Sequence, residues 1–189
     1  MKNRQSIIWR RLDLAGHEFA EISSENSKNF VNGTAIFVFE RQFCKLDYAI
    51  VCDLNWQTLA TRVSGFAGEK VVKIEITVDA EKRWKLNGNN NPQTVNSVDI
   101  DLNFSPVTNA LPIRRLNLEV GESAEVRAAW LKFPAFSLEP LVQTYERLGE
   151  NLYRFESGGG EFVREIEVDD SGLVTKYPDF WEVENKGKL

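Results

Sequence analysis

The sequence is poor in the side chains from which most enzymatic sites are built. His17 is the only histidine in 189 residues. That excludes His-rich zinc sites and makes any Ser-His-acid triad depend on one residue near the N-terminus. Cys44 and Cys52 are the only cysteines, and with no export signal in view free thiols are their expected state. No Gly-x-Ser-x-Gly elbow, phosphate loop or dinucleotide fingerprint occurs. Gly158 to Gly160 reads as a flexible turn, since no helix is expected after it to cradle a phosphate. No apolar run approaches the length of a membrane span. Met1 to Leu12 offers only Ile7, Ile8 and Trp9 before charge returns, so a cytoplasmic protein is expected. Positive charge is also short: 23 Lys and Arg against 28 Asp and Glu leave a net charge of −5. The counterion-release term that draws proteins to phosphate backbones is then missing, and nucleic acid is not an expected partner.

What is present suits one β domain over residues 1–189 with a core rich in Phe and Trp. Hydrophobic residues make up 42% of the chain, with 12 Phe and 5 Trp, enough to bury a sizeable core without staples. Leu46 to Asp53 alternates, with Tyr48, Ile50 and Cys52 on one face. Val72, Ile74, Ile76 and Val78 share a face opposite Lys73, Glu75, Thr77 and Asp79, the pattern of a half-buried antiparallel strand. Asn32-Gly33 reads as a tight turn inside Phe30 to Phe39, and Ala35 to Phe39 as a strand covered on both faces. Asn87 to Pro92 reads as an exposed loop, and Pro134 and Pro140 as strand stops. The expected fold is all-β and mainly antiparallel, a single curved sheet or open barrel with few short helices.

Offset by 90 residues, the chain echoes itself. Ile76-Thr77-Val78-Asp79 falls on Ile166-Glu167-Val168-Asp169, Glu75 on Glu165, and Gly68 on Gly158. Two similar β-meanders, residues 58–88 and 148–178, would account for the echo; so would the common composition of meanders.

Asn96 to Val120 holds the densest grouping of charge at apolar boundaries. Val98, Ile100, Leu102 and Phe104 alternate with Asp99, Asp101 and Asn103. Matching of apolar faces predicts a hairpin with Ile113 to Val120 in which paired residue numbers sum to 218, because a one-residue slip would bring charge to the apolar side. Arg115 would then share a polar face with Asp101, and Asp99 would oppose Glu119. Arg114 would sit on the apolar face in need of an acceptor such as Asp53 or of an aromatic ring.

Asp99 to Leu102, Ser105-Pro106 and Thr108 to Leu116 resemble the signature of the glycolipid-binding protein family, a bacterial family of otherwise unknown function. Supporting matches lie at Tyr48, Cys52-Asp53, Trp56, Trp84 to Gly88, Gln143, Tyr145 and Asp169 to Tyr177. The likeness extends over nearly the whole chain and implies a β-rich single domain with a lipid-bearing sugar as ligand. It implies no catalytic residue, metal or cofactor. Gly16-His17-Glu18 departs from the Gly-x-Glu-His order expected of the family, which argues against a role for His17.

The candidate ligand-binding residues are Asp53, Trp56, Trp84, Asp99, Asp101, Asn109, Arg114, Arg115 and Tyr145. Each also has a structural reading. The aspartates could bind sugar hydroxyls or form an ion-paired strand face, and the arginines could bind a phosphate or carboxylate headgroup or tie a loop in place. The tryptophans could stack on sugars or fill the core. The expected function is a non-enzymatic module for a glycolipid or other amphipathic small molecule, its oligomeric state open, a homodimer included. The alternative is a hydrolase or isomerase acting on a sugar-containing substrate through Asp99 or Asp101.

Overall fold

The structure, a computed structural model, describes residues 4–188. The chain forms β1 (Gln5–Arg11), β2 (Gly16–Glu25), β3 (Lys28–Phe39), β4 (Gln42–Cys52), β5 (Thr58–Ala67), β6 (Lys70–Val78), β7 (Trp84–Leu86) and β8 (Asn89–Asn91). It continues through β9 (Asp99–Leu102), α1 (Ala110–Leu116), β10 (Ser123–Lys132), β11 (Ser137–Gly149), β12 (Leu152–Ser157), β13 (Phe162–Val168), β14 (Val174–Tyr177) and β15 (Trp181–Lys188). All 15 strands belong to one sheet, in the order β8-β7-β6-β5-β4-β3-β2-β1-β15-β14-β13-β12-β11-β10-β9. Two meanders, one from each half of the chain, are therefore joined where β1 pairs with β15. Every pairing is antiparallel except β9 with β10.

The sheet curls into a barrel that its ladders leave open. Contact between its two halves runs through Thr58, at the start of β5. Its N–H donates to the Val98 carbonyl at 3.1 Å and its hydroxyl accepts from the Ile100 N–H at 3.0 Å. Strand alternation builds the interior as expected: Cys44, Leu46, Tyr48, Ile50 and Cys52 of β4 and Val72, Ile74 and Ile76 of β6 are all buried. Both cysteines are free thiols, and burial pushes the Cys52 thiol up to about 12.

Several sequence expectations are corrected. Asn32-Gly33 lies inside β3; the flanking turns are Asn26-Ser27 and Glu40-Arg41, both pairs at positive φ. Gly33 is there for space. A Cβ would overlap the Tyr48 hydroxyl and would stand 2.6 Å from the Phe19 carbonyl oxygen. Gly33→Ala is therefore expected to lose about 1–3 kcal/mol by overpacking, read as a lower urea midpoint with an unchanged slope. Ile36 is 53% exposed, so that run alternates instead of being covered on both faces. β11 runs through Pro140, which pairs with Ala129. Asn89–Asn91 is a short strand returning on β7.

The largest correction concerns the stretch after β9. Residues 113–120 form no hairpin with it. Asp99, Ile100, Asp101 and Leu102 run parallel to Ala128, Ala129, Trp130 and Leu131. A parallel pair needs a crossover of a dozen or more residues, usually helical, and the intervening chain supplies it. Ser105 caps a 3-10 turn, Pro106–Asn109, by accepting the Val107 N–H at 3.2 Å. The turn leads into α1. Pro112 sits in the first turn of α1, where its missing N–H costs no helical bond. Asn117, left-handed at φ 45°, ends the helix by donating its N–H to the Ile113 carbonyl. Pro106 to Ile113 is buried throughout, so this segment plugs the barrel and divides its interior.

Candidate functional site

The plug leaves a cavity at each end of the barrel. The first, about 470 Å³, opens where β14 turns into β15 and β12 into β13. Nine of its lining residues are aromatic: Phe39, Phe104, Trp130, Phe133, Phe155, Phe162, Tyr177, Phe180 and Trp181. Many stack edge to face, as Phe133 does on Phe39 at 5.0 Å and Tyr177 on Phe180 at 5.5 Å. That arrangement holds rings rigidly against one another. Arg11 lies at the same end, 5.1 Å from the Trp181 ring and bound to Asp13 through two nitrogens.

One stretch of this wall is polar and ordered. Asn109 donates through Nδ2 to the Tyr145 hydroxyl at 3.0 Å, that hydroxyl donates to Gln143 Oε1 at 3.3 Å, and Gln143 Nε2 donates to Asp101 Oδ2 at 2.6 Å. Asn109, Gln143 and Tyr145 are buried. The chain of donors ends on a carboxyl that burial pushes up to about 6, only partly offset by the bond from Gln143. Asp101 Oδ1 makes no hydrogen bond to a described residue. It is thus free to accept from a hydroxyl, or to donate when protonated.

Asp99 and Arg115 line neither cavity. Arg115 grips Asp99 through Nε at 3.2 Å and a terminal nitrogen at 2.5 Å. With Asp99 1% exposed the pair is internal, and Arg115 meets Asp99 instead of facing Asp101. The expected like-charge pair of Asp99 with Glu119 does not form; Glu119 lies beyond the helix and its N–H donates to Glu122. Trp84 lies in the core, donating its indole N–H to the Ser97 carbonyl.

Asp53, Trp56 and Arg114 belong to the other end. Asp53 Oδ1 accepts the N–H groups of Asn55 and Gln57, each at 2.9 Å, so it shapes its own loop and is not the acceptor for Arg114. Arg114 lies over the Trp56 ring, 4.5 Å from its centre. Asp79 and Asp169 build the same loop, each accepting from the second and fourth residues beyond it.

His17 and Glu18, neighbours in sequence, point to opposite faces of β2. His17 is exposed beside Glu184, whereas Glu18 is buried, accepting from the Tyr48 hydroxyl at 2.5 Å and from Ser105. Among the described residues no three His, Cys, Asp or Glu side chains converge to hold a metal.

The sequence pattern of a family described as "Putative glycolipid-binding" matches residues 6–183. The chain belongs to this family. A solved DUF1089 family protein from Pseudomonas aeruginosa is similar, with 30% identity and a TM-score of 0.75 over 87% of this chain and 91% of that one. A beta-barrel-like protein of domain of unknown function DUF1849, from Brucella abortus, shares the fold at 9% identity, with a TM-score of 0.59 over 100% and 98% of the two chains. No curated protein matches. Of the positions that carry the family resemblance in the sequence, Asp101, Ser105, Asn109, Tyr145 and Tyr177 meet around the aromatic cavity, directly or through the polar chain. Asp53, Trp56, Arg114 and Asp169 meet at the opposite end. Most of the cavity's aromatic wall, Phe155, Phe162, Phe180 and Trp181 included, was missed by sequence reasoning. Its one signal is the aromatic density of Tyr177 to Trp181.

Proposed function

We propose that this glycolipid-binding family member holds one amphipathic molecule of glycolipid type in the aromatic cavity and does not transform it. The observation that carries the reading is the two-sided wall, rigid rings on most of the surface and a single ordered polar strip ending on Asp101. Its volume falls in the range of small-molecule sites, and few polar groups in an apolar surround is how such sites fix orientation. Sugar hydroxyls would meet Asp101 and Asn109, while apolar chain lies along Phe162, Phe180 and Trp181. A hydrolytic carboxylate pair is not supported, because Asp99 is spent on Arg115 and Asp101 is left without a second free carboxylate. No helix of the described residues is long and apolar enough to cross a membrane.

The purified protein is expected to carry lipid visible by native mass spectrometry, or to bind octyl glucoside with a change in tryptophan fluorescence from Trp130 and Trp181. Asp101→Leu should weaken that binding about tenfold by removing a charge-assisted acceptor. Absence of both bound lipid and octyl glucoside binding in a folded sample would sink the proposal.

A further inference from the structure

The cavity at the opposite end is larger, about 710 Å³, and of different character. Its wall is dominated by hydroxyls, amides and charge, with Gln5, Ser6, Ser24, Asn117, Asn151 and Ser171 among its contributors. Three cations line it, alongside the carboxylates of Glu150, Asp169 and Asp170, and two of the three cations already have strong acceptors. Arg147 spends its guanidinium on the carbonyls of Leu118, Gly149 and Glu150, pinning the β11–β12 turn. Lys186 pairs with Asp169 at 3.3 Å.

Arg114 differs from both. It donates one bond, to the neutral Gln5 Oε1 at 3.0 Å, and pairs with no carboxylate among the described residues. Its Nε is buried without a partner. Burial pulls the guanidinium down to about 10, with the Asp169 charge acting in the opposite direction. A charged group held in that state lacks the anion that would complete it.

The holding is itself built. Trp56 lies beneath the guanidinium and has a left-handed backbone, φ 63°. It occupies the fourth position of the Asp53 loop, where the matching Asp169 loop has Gly172 at φ 77°. A bulky residue is disfavoured in that conformation, yet here it sets the indole against the Arg114 guanidinium. Gly172 also stands close against the arginine: a Cβ there would lie 3.4 Å from Arg114 Cγ. Residues at equivalent positions of two like loops thus pack against one arginine, which lines the cavity.

We propose that this cavity binds the oxyanion of a hydroxyl-rich molecule, a sugar phosphate or a sugar acid, with Arg114 as the anion-binding residue and Trp56 as its positioning residue. A planar guanidinium binds phosphate and carboxylate alike through paired N–H bonds, and the surrounding hydroxyls and amides suit sugar hydroxyls. The inference does not rest on the aromatic cavity being a lipid site, since the two lie at opposite ends of the barrel.

The test titrates the wild-type protein with glucose 6-phosphate, glucuronate and uncharged glucose, followed by two-dimensional amide NMR. Either acid should shift the Trp56 indole and the amides of Ser171 and Gly172, and the responding acid tells phosphate from carboxylate; glucose should not. Arg114→Gln should weaken the responding acid about ten- to a hundredfold. Trp56→Leu should weaken it as well and Trp56→Phe should restore it, a rescue that a merely structural tryptophan would not give. The proposal is overturned if neither acid shifts these resonances at millimolar concentration, if glucose binds equally well, or if a folded Arg114→Gln protein binds as the wild type does. The wild-type titration decides even if Arg114→Gln fails to fold.

Discussion

Replacing Asp99 by Leu should cost about 3–5 kcal/mol, among the largest effects of any single substitution in this chain. Its carboxylate is almost fully inside, with a side chain 2% exposed against 16% for Arg115. Taking both charges out of water is costly, and only their mutual bidentate contact repays it. Burial still raises the Asp99 pKa despite the guanidinium beside it, so desolvation outweighs attraction even in the intact pair. Removing the carboxylate leaves Arg115 without an anion beneath the plug. Arg115→Met should cost somewhat less, because Asp99 can then take a proton. Asp99→Leu combined with Arg115→Met should recover most of the loss, because a well-packed apolar pair of similar volume often replaces a buried ion pair at little cost. Urea unfolding of the four proteins closes the cycle. A loss below about 1 kcal/mol for Asp99→Leu would show that the pair behaves as a surface salt bridge.

That pair also marks what could and could not be read in the sequence. β4 and β6 were legible because each has one buried and one wetter face, so alternation reports their orientation directly. β9 has no wet face. Ile100 and Leu102 are buried on one face and Asp99 on the other, and alternation there looked like a polar surface when Asp99 was half of an internal ion pair. The plug was hidden for a related reason. Leu116, Leu118 and Val120 alternate like a strand, but Asn117 is a left-handed helix stop, and Pro106 and Pro112 stand where helical turns tolerate them best.

Alternation also says which face a residue takes and nothing about which strands meet. The pairing of β1 with β15 and the contact of Thr58 with β9 link residues far apart in sequence. The aromatic cavity is assembled from six or more separate elements, so its polar strip could be guessed at Gln143 and Tyr145 while its wall could not. The loops were more legible. Asp79 and Asp169, aligned by the offset of 90 residues, do share one hydrogen-bond pattern; Asp53 shares it too without being part of the echo, so the loop alone is no mark of duplication.

Stability should fall as pH rises from 5 to 8, and Glu18 should account for much of the fall. Burial raises its carboxyl from 4.5 to about 7, the Ser105 and Tyr48 bonds opposing only in part. Between those values the native protein holds a proton that the unfolded chain has released. The stabilisation is therefore complete below about pH 4.5 and is lost as pH climbs through 7. The interval is worth about 3 kcal/mol, and Asp101, raised from 3.8 to about 6, acts in the same direction over a slightly lower range. Glu18→Gln removes the first contribution. Its amide oxygen can still accept from Tyr48, while its NH₂ takes the place of Oε2, which has no partner among the described residues. At pH 8 the variant should be about 2 kcal/mol more stable than the wild type, and at pH 5 equal or slightly less stable. The effect reaches the cavity because Ser105, which donates to Glu18, also caps the turn that begins the plug and lines the aromatic chamber. Charging Glu18 tightens its claim on the Ser105 hydroxyl without adding a partner for its second oxygen. Urea midpoints of both proteins measured across pH 5 to 8 decide the matter. A wild-type curve that is flat or rises over that range, or a Glu18→Gln protein weaker than wild type at pH 8, would mean that Glu18 stays ionised inside the barrel.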